Sequence, residues 1–287
     1  MKKFAVIDVG SNSVRLMFVA DGKVLYKKLN TTRLGEGLAE TPYLKSEAIE
    51  RSAVAVADFY KQAKAEGAET VCVFATAATR SAKNGYVFTN RVKELCGLTV
   101  DVVSGETEAK LGVMGALGKK DGGLIDIGGA STELILQQHG EILYGKSIDI
   151  GVVRLKDLCD RNLEKLTSVC GEYVKQYGEI KTDLPIYAIG GTATTLGAVY
   201  LGDKEYNPEK ITGFELSLTV VKELSKRLTD MPVAEIVALP GMLPKRADII
   251  GGGATLLSVI MEKFGFEKVI LSDSDNLEGY AIYKGLL

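Results

Sequence analysis

One ten-residue pattern occurs twice in the chain, and its repetition restricts the fold more than any other feature. Val6-Ile-Asp-Val-Gly-Ser-Asn-Ser-Val-Arg15 and Leu124-Ile-Asp-Ile-Gly-Gly-Ala-Ser-Thr-Glu133 align without a gap at an offset of 118 residues (126 − 8), so that Asp8 meets Asp126, Gly10 meets Gly128 and Ser13 meets Ser131. The register persists further along, where Leu16 meets Leu134, Gly22 meets Gly140 and Tyr26 meets Tyr144. A repeat of that length is too long for a solenoid unit and suits a duplicated domain, each half opening strand, turn, strand, turn, strand. Two similar α/β lobes facing each other across a cleft are the expected architecture.

Each copy also carries chemistry. An apolar strand runs into an acid, then Gly and small polar residues, and a second strand leaves the turn, so backbone N–H groups are bared where a phosphate can approach closely. Candidate phosphate contacts are Ser11, Asn12, Ser13 and Arg15 in the first copy and Gly128, Gly129, Ala130, Ser131 and Thr132 in the second. Asp8 and Asp126 fall at strand tips beside these turns, where a carboxylate and a phosphate can share a divalent cation. Taken singly, an Asp-x-Gly turn reads equally as a hairpin whose polar residues only cap the bend.

Three further segments belong with the pair. Ala75-Thr-Ala-Ala-Thr-Arg80 hands a strand to a loop whose guanidinium can grip phosphate with two parallel bonds, or pair with an acid. Ser104-Gly-Glu-Thr-Glu108 ends a strand and begins a helix; carboxylates there complement the helix dipole, but Glu108 is also placed to reach a water attacking a bound phosphate. Gly190-Gly191-Thr192 offers N–H donors at a strand-to-helix turn, while Gly251-Gly-Gly-Ala254 weakens a helix and implies close packing or a ligand nearby.

The 287 residues suit two domains, here 1–120 and 121–287 with the Gly-rich stretch from Gly118 to Gly123 between them. With 35 basic against 37 acidic side chains there is no global field to recruit nucleic acid or anionic membrane. The N-terminus enters a strand at once and no apolar run reaches membrane-spanning length, which gives a cytoplasmic expectation. Four scattered cysteines read as reduced core thiols, and a single histidine, His139, in a hairpin turn excludes His-based schemes.

Periodicity predicts helices at Ser46–Glu66 (capped by Ser46), 85–96, 106–117, 152–159, 166–177, 190–201, 219–229, 246–264 and 277–286. Strands are predicted at Lys23–Leu29, Thr70–Ala75, 99–103, 123–127, 131–138, 141–150, 185–189 and 268–272. Arg33-Leu-Gly-Glu-Gly-Leu38 reads as a flexible basic loop, and 202–245, broken by prolines, as an insertion in the second lobe.

Taken together, Asp8-Val-Gly-Ser-Asn-Ser-Val-Arg-Leu16, Ala75 through Arg80 and Asn84, Ser104-Gly-Glu-Thr-Glu-Ala-Lys-Leu111, Asp126-Ile-Gly-Gly-Ala-Ser-Thr-Glu133, Gly190-Gly-Thr192 and Arg246-Ala-Asp248 resemble the exopolyphosphatase/guanosine-pentaphosphate phosphohydrolase family over essentially the whole chain. That family belongs to the actin, Hsp70 and sugar-kinase superfamily. The resemblance implies two ribonuclease-H-like (actin-like ATPase) domains with an interdomain cleft. By the same resemblance Glu108 is the general base, with Asp126 and Glu133 as the other catalytic acids. Asp126, Glu133 and Asp8 are the metal ligands, for Mg²⁺ or Mn²⁺. Asn12, Arg80 and the turn from Gly128 to Thr132, with Gly190, Gly191 and Thr192, hold the phosphates of inorganic polyphosphate or guanosine pentaphosphate.

Two departures stand out. Asn276-Leu277-Glu278-Gly279 occupies the place of the family's Leu-Arg-Glu-Gly, losing the Arg. The chain also ends where the second lobe ends, without the further helical C-terminal region of many members, which suggests distributive action on short chains or on the nucleotide. An ATP-dependent small-molecule kinase on the same fold, a non-catalytic alarmone sensor and an actin-like assembly module remain alternatives. Metal identity, substrate preference and a homodimeric state stay open at this stage.

Overall fold

The computed structural model describes residues 2–287. The first half contains β1 (Lys3–Val9), β2 (Ser13–Ala20), β3 (Lys23–Thr31), α1 (Ser46–Ala65), β4 (Thr70–Ala75), α2 (Ala77–Ser81), α3 (Gly85–Cys96), β5 (Asp101–Val102) and α4 (Gly105–Ala116). The second contains β6 (Gly122–Ile127), β7 (Thr132–Gln138), β8 (Glu141–Ile148), α5 (Val152–Cys159), α6 (Leu163–Val174), β9 (Ile186–Ile189), α7 (Gly190–Leu201), α8 (Pro208–Ile211), β10 (Glu215–Ser217), α9 (Leu218–Asp230), α10 (Val233–Val237), α11 (Ile250–Phe264), β11 (Lys268–Leu271) and α12 (Asn276–Tyr283). The sheets run β3-β2-β1-β4-β5 and β10-β11-β9-β6-β7-β8. Without β10 they have the same order.

The duplication is visible in the backbone. Each lobe's second hairpin turns on two residues with positive φ, Asp21 (50°) and Gly22 (75°) in one and His139 (53°) and Gly140 (79°) in the other, as a two-residue turn matched to strand twist requires. The motif turns also close alike, the Gly10 N–H donating to the Ser13 carbonyl and the Gly128 N–H to that of Ser131, each at 3.0 Å. Asp8 lies opposite Arg15 in one ladder and Asp126 opposite Glu133 in the other.

The lobes exchange their last helices. α4 packs Ala109, Val113 and Leu117 on the second sheet, against Leu124, Ile135 and Ile189. α12, expected within the second lobe, instead joins Phe4, Val6, Met17, Val19 and Phe74 of the first sheet through Leu277, Tyr280 and Ala281, with Tyr280 stacked on Phe74 at 4.4 Å between ring centroids. The amphipathic pattern of each helix says that a face is buried but not against which sheet. Where the two helices cross, a Cβ on Gly115 would run into the Asp275 carbonyl and one on Gly279 into the Leu111 carbonyl. Gly279→Ala is therefore expected to destabilise the fold by about 1–3 kcal/mol, measured by chemical denaturation.

Other boundaries moved for local reasons. Residues 202–245, extra relative to the first lobe, are packed into the second: β10 extends the second sheet by pairing with β11, and α9 buries Val221, Leu224 and Leu228 in the same core as α11. The long helix α11, expected from residue 246, begins at Ile250, after a tight 3₁₀ turn at Pro244–Arg246. Lys45, not Ser46, is the N-cap of α1. The three glycines of α11 serve close packing, Gly253 against Thr192 and Val152 and Gly251 against Leu228. Among the described residues no helix is long and apolar enough to cross a membrane.

Candidate active site

Because β1 and β6 are both central strands, their C-terminal turns face each other across the interlobe cleft. A Cβ on Gly129 would stand 2.7 Å from Cβ of Ser11 and 3.0 Å from the Asn12 nitrogen, so glycine is needed for the two turns to meet. At the mouth the Arg33–Leu38 segment is tied down, not free. Gly35 N–H donates to the Ser11 carbonyl at 2.8 Å, Arg33 donates to Asp248 at 2.8 Å, and Gly37 N–H donates to Asp157 of α5 at 3.0 Å.

The cleft is bordered by Asp8, Ser11, Asn12, Ser13 and Arg15 from the first turn, by Asp126, Gly128, Gly129 and Ser131 from the second, and by Gly190, Gly191 and Thr192. Glu108 joins them from the first turn of α4, where Ser104 caps the helix by accepting from Thr107 N–H. The expected convergence of Glu108, Asp8 and Asp126 on one groove is met. Ala130, Thr132, Glu133 and Arg80 do not border it. Ala130 is core, and the Thr132 hydroxyl is spent on the Ile150 carbonyl at 2.6 Å.

Where the two copies diverge, the electrostatics diverge. In the first lobe Arg15 sits across from Asp8 and donates to it through Nε at 2.9 Å, with a second ion pair to Asp275. Arg15, a candidate phosphate contact, borders the cleft and is engaged there by two carboxylates. In the second lobe the cross-strand partner of Asp126 is another acid, an arrangement that destabilises an ordinary hairpin. Burial first, then the charges of Asp275 and Glu108, push the Asp126 carboxyl up to about 7, partly offset by Arg15 and the Asn276 amide donating at 3.0 Å. Glu133, 2% exposed, is pushed far up by burial and by Glu108 and Asp126, and its Oε1 accepts from Ser147 at 2.6 Å.

Arg80 sits behind the site. Its guanidinium donates to Glu108 Oε2 at 2.8 Å and to the Val103 carbonyl at 2.9 Å, so it holds the acid in place. Burial still outweighs this ion pair, and the Glu108 carboxyl lies above its ordinary range.

The residue sequence reasoning missed is Arg246. It borders the cleft, is 7% exposed and stacks on Gly191, and its Nε has no protein partner. Burial and the nearby positive charge of Arg15 lower its pKa to about 10. A buried guanidinium with no carboxylate against it is an anion site by its own energetics. Its only sequence signal was membership of the Arg246-Ala-Asp248 motif.

Among the described residues no group of three or more His, Cys, Asp or Glu is drawn together, so a cation shared by Asp8, Asp126 and Glu133 would need substrate or water oxygens to complete it. Asp8 is occupied by Arg15 through one oxygen while its Oδ1 is buried without a partner, and Glu133 is turned to Ser147.

The chain matches the model of the Ppx/GppA phosphatase family over residues 5–284. It is 30% identical to a Mycobacterium tuberculosis protein named exopolyphosphatase 2, with 98% of each chain covered. It is 28% identical to the guanosine-5'-triphosphate,3'-diphosphate pyrophosphatase of Photobacterium profundum, of which it spans 58%. The crystal structure of the Aquifex aeolicus Ppx/GppA family member superposes with a TM-score of 0.78 at 29% identity, covering 99% of this chain and 98% of that one. Duplicated turns facing one cleft, a buried glutamate beside them and end-to-end similarity agree: the chain belongs to the Ppx/GppA phosphatase family and is a hydrolase with the two-lobed actin-like fold.

Proposed function

We propose that the protein removes the terminal phosphate of a linear phosphoanhydride, guanosine pentaphosphate or short inorganic polyphosphate, with a divalent cation such as Mg²⁺. The observation that carries this is the meeting of Glu108, Asp126 and the unpaired Arg246 in one cleft floored by two N–H-bearing turns. A water oxygen bonds to the terminal phosphorus and gives its proton to Glu108, while the bridging P–O bond breaks and its oxygen leaves on the shortened chain. Such a transition state mainly needs placement and charge neutralisation, which Arg246 and the turn N–H groups supply. Raised basicity suits Glu108 to that task near neutral pH.

The residues fit a cation of the kind held by one or two carboxylates plus substrate oxygens. Asp126 and the partnerless Oδ1 of Asp8 would hold it, and when bound it neutralises charge on the phosphates. A test follows from the Asp126 carboxyl, raised to about 7 in the metal-free fold. In the unfolded chain it titrates near ~4. The folded state thus binds the extra proton between those values, so its contribution to stability is present below about pH 4 and lost as pH rises to about 7. In EDTA the Tm is expected to fall across that window, and Mg²⁺ to restore more at pH 8 than at pH 5. A rescue equal at both pH values would contradict the assignment.

A chamber of about 250 Å³ opens beside the cleft, sharing Arg15, Gly190, Gly191 and Arg246 with it and lined by Leu29, Tyr206, Leu243 and Leu277. A bare polyphosphate has no use for apolar walls, whereas a nucleoside does, so the geometry favours the nucleotide. Phosphate release from guanosine pentaphosphate and polyphosphate, assayed side by side with Mg²⁺, is expected to give the larger kcat/KM for the nucleotide. Faster, processive digestion of long polyphosphate would reverse that preference.

A further inference from the structure

Two adjacent residues at the start of α12 reach the acids of both motif copies. Asp275, the N-cap, accepts from Arg15, and the Arg15 Nε donates to Oδ2 of Asp8 at 2.9 Å. Asn276, the first residue of the helix, donates through its side-chain amide to Oδ2 of Asp126 at 3.0 Å. Each acid thus has Oδ2 engaged and Oδ1 left over. In Asp8 that oxygen is buried without a partner, and in Asp126 it lies 2.6 Å from where a Cβ on Gly190 would stand, beside the cleft. The helix start is itself fixed, the Asp275 N–H donating to Glu278 and the Leu277 N–H to Asp275, each at 3.0 Å. Because α12 packs on the first sheet and Asp126 belongs to the second, the Asn276 bond crosses from one lobe to the other.

The fold gives something up to make this bond. Asn276 is 6% exposed and borders the cleft, yet its own Oδ1 is buried without a donor, 3.1 Å from where a Cβ on Gly112 would stand, one helical turn beyond Glu108. Turning the amide over would set that oxygen against the Asp126 carboxylate, so the orientation is fixed by its acceptor. An orphaned buried oxygen is unfavourable, and here the other half of the amide accounts for it. No other group among the described residues donates to Asp126, while Asp275, Glu108 and Glu133 surround it with like charge. Asn276 also stands where the chain departs from the family's Leu-Arg-Glu-Gly, and a leucine there has no proton to donate.

We propose that Asn276 is a positioning residue for the divalent cation: it holds Oδ2 of Asp126 so that Oδ1 is left to the ion, as Arg15 and Asp275 do for Asp8. The inference rests on the cation reading above. Partners behind a metal-holding carboxylate contribute roughly ten- to a hundredfold in affinity by fixing its orientation.

The intact chain is compared as wild type, as Asn276→Leu, which keeps the size of the side chain, and as Asn276→Ala, which removes the donor without adding bulk. Free Mn²⁺ is followed by electron paramagnetic resonance while the protein is titrated with the metal alone, and phosphate release from guanosine pentaphosphate is measured across Mg²⁺ concentrations. Both variants are expected to bind Mn²⁺ about tenfold or more weakly, and to need about tenfold or more Mg²⁺ for half the maximal rate. At saturating Mg²⁺ their kcat is expected within about threefold of wild type. Excess metal repairs a misaimed carboxylate and does not repair a damaged fold. Wild-type affinity for Mn²⁺ in the variants overturns the role of Asn276, as does a kcat that falls alike at every Mg²⁺ concentration. If Asn276→Leu fails to fold, Asn276→Ala decides. A wild type that binds no Mn²⁺ and needs no Mg²⁺ sinks the cation reading itself, and this inference with it.

Discussion

Glu108→Gln is expected to lower kcat on the order of 10²- to 10⁴-fold while KM changes little. The amide keeps the size of the side chain and still offers an oxygen to Arg80, so that contact and the α4 N-terminus are preserved. What it loses is the ability to take a proton from water in the transition state. Substrate binding, read as a rise in Tm on adding polyphosphate or the nucleotide, is expected to survive. A sensor without catalysis would show the same binding before and after the change and no turnover in either form. Substantial residual kcat in the variant would move the base to another group.

Arg246→Met is expected to separate affinity from stability. Removing a charged donor to the phosphates costs roughly 1.5–3 kcal/mol, a loss in kcat/KM of about ten- to a hundredfold. The ligand-free protein is expected to gain stability, because a buried guanidinium with no ion pair, its Nε unpartnered and its burial outweighing the charge of Asp275, is replaced by an apolar side chain of similar length. The wild type would then show the larger Tm increase with substrate and the lower Tm without it. A variant that loses stability and keeps its kcat/KM would make Arg246 a structural residue.

The parts of this site legible in the sequence were those written locally. Turn chemistry at Asp21-Gly22 and His139-Gly140 and the matched spacing around Asp8 and Asp126 are fixed by neighbours in the chain, and the strands formed as read. The hairpin register even held an unread consequence. A turn at Gly10–Ser13 places Arg15 opposite Asp8, which explains why Arg15 is consumed as a partner. Arg80 illustrates the limit of spacing: phosphate grip and ion pair were both open, and only the fold put Glu108 within 2.8 Å of it. The exchange of α4 and α12 was out of reach because hydrophobic periodicity is blind to the identity of the partner sheet. Arg246 was hidden for the opposite reason, since a lone arginine in a proline-broken stretch gives no sign that it will be buried without a carboxylate.

The fate of water tests the central claim most directly. With Mg²⁺, guanosine pentaphosphate and no acceptor in H₂¹⁸O, each orthophosphate released by the wild type is expected to carry one ¹⁸O by mass spectrometry, and Glu108→Gln to release almost none. Orthophosphate without the label, or phosphate that moves only when a sugar or other alcohol is supplied, would contradict a cleft in which Glu108 directs water at a terminal phosphate held between the two turns.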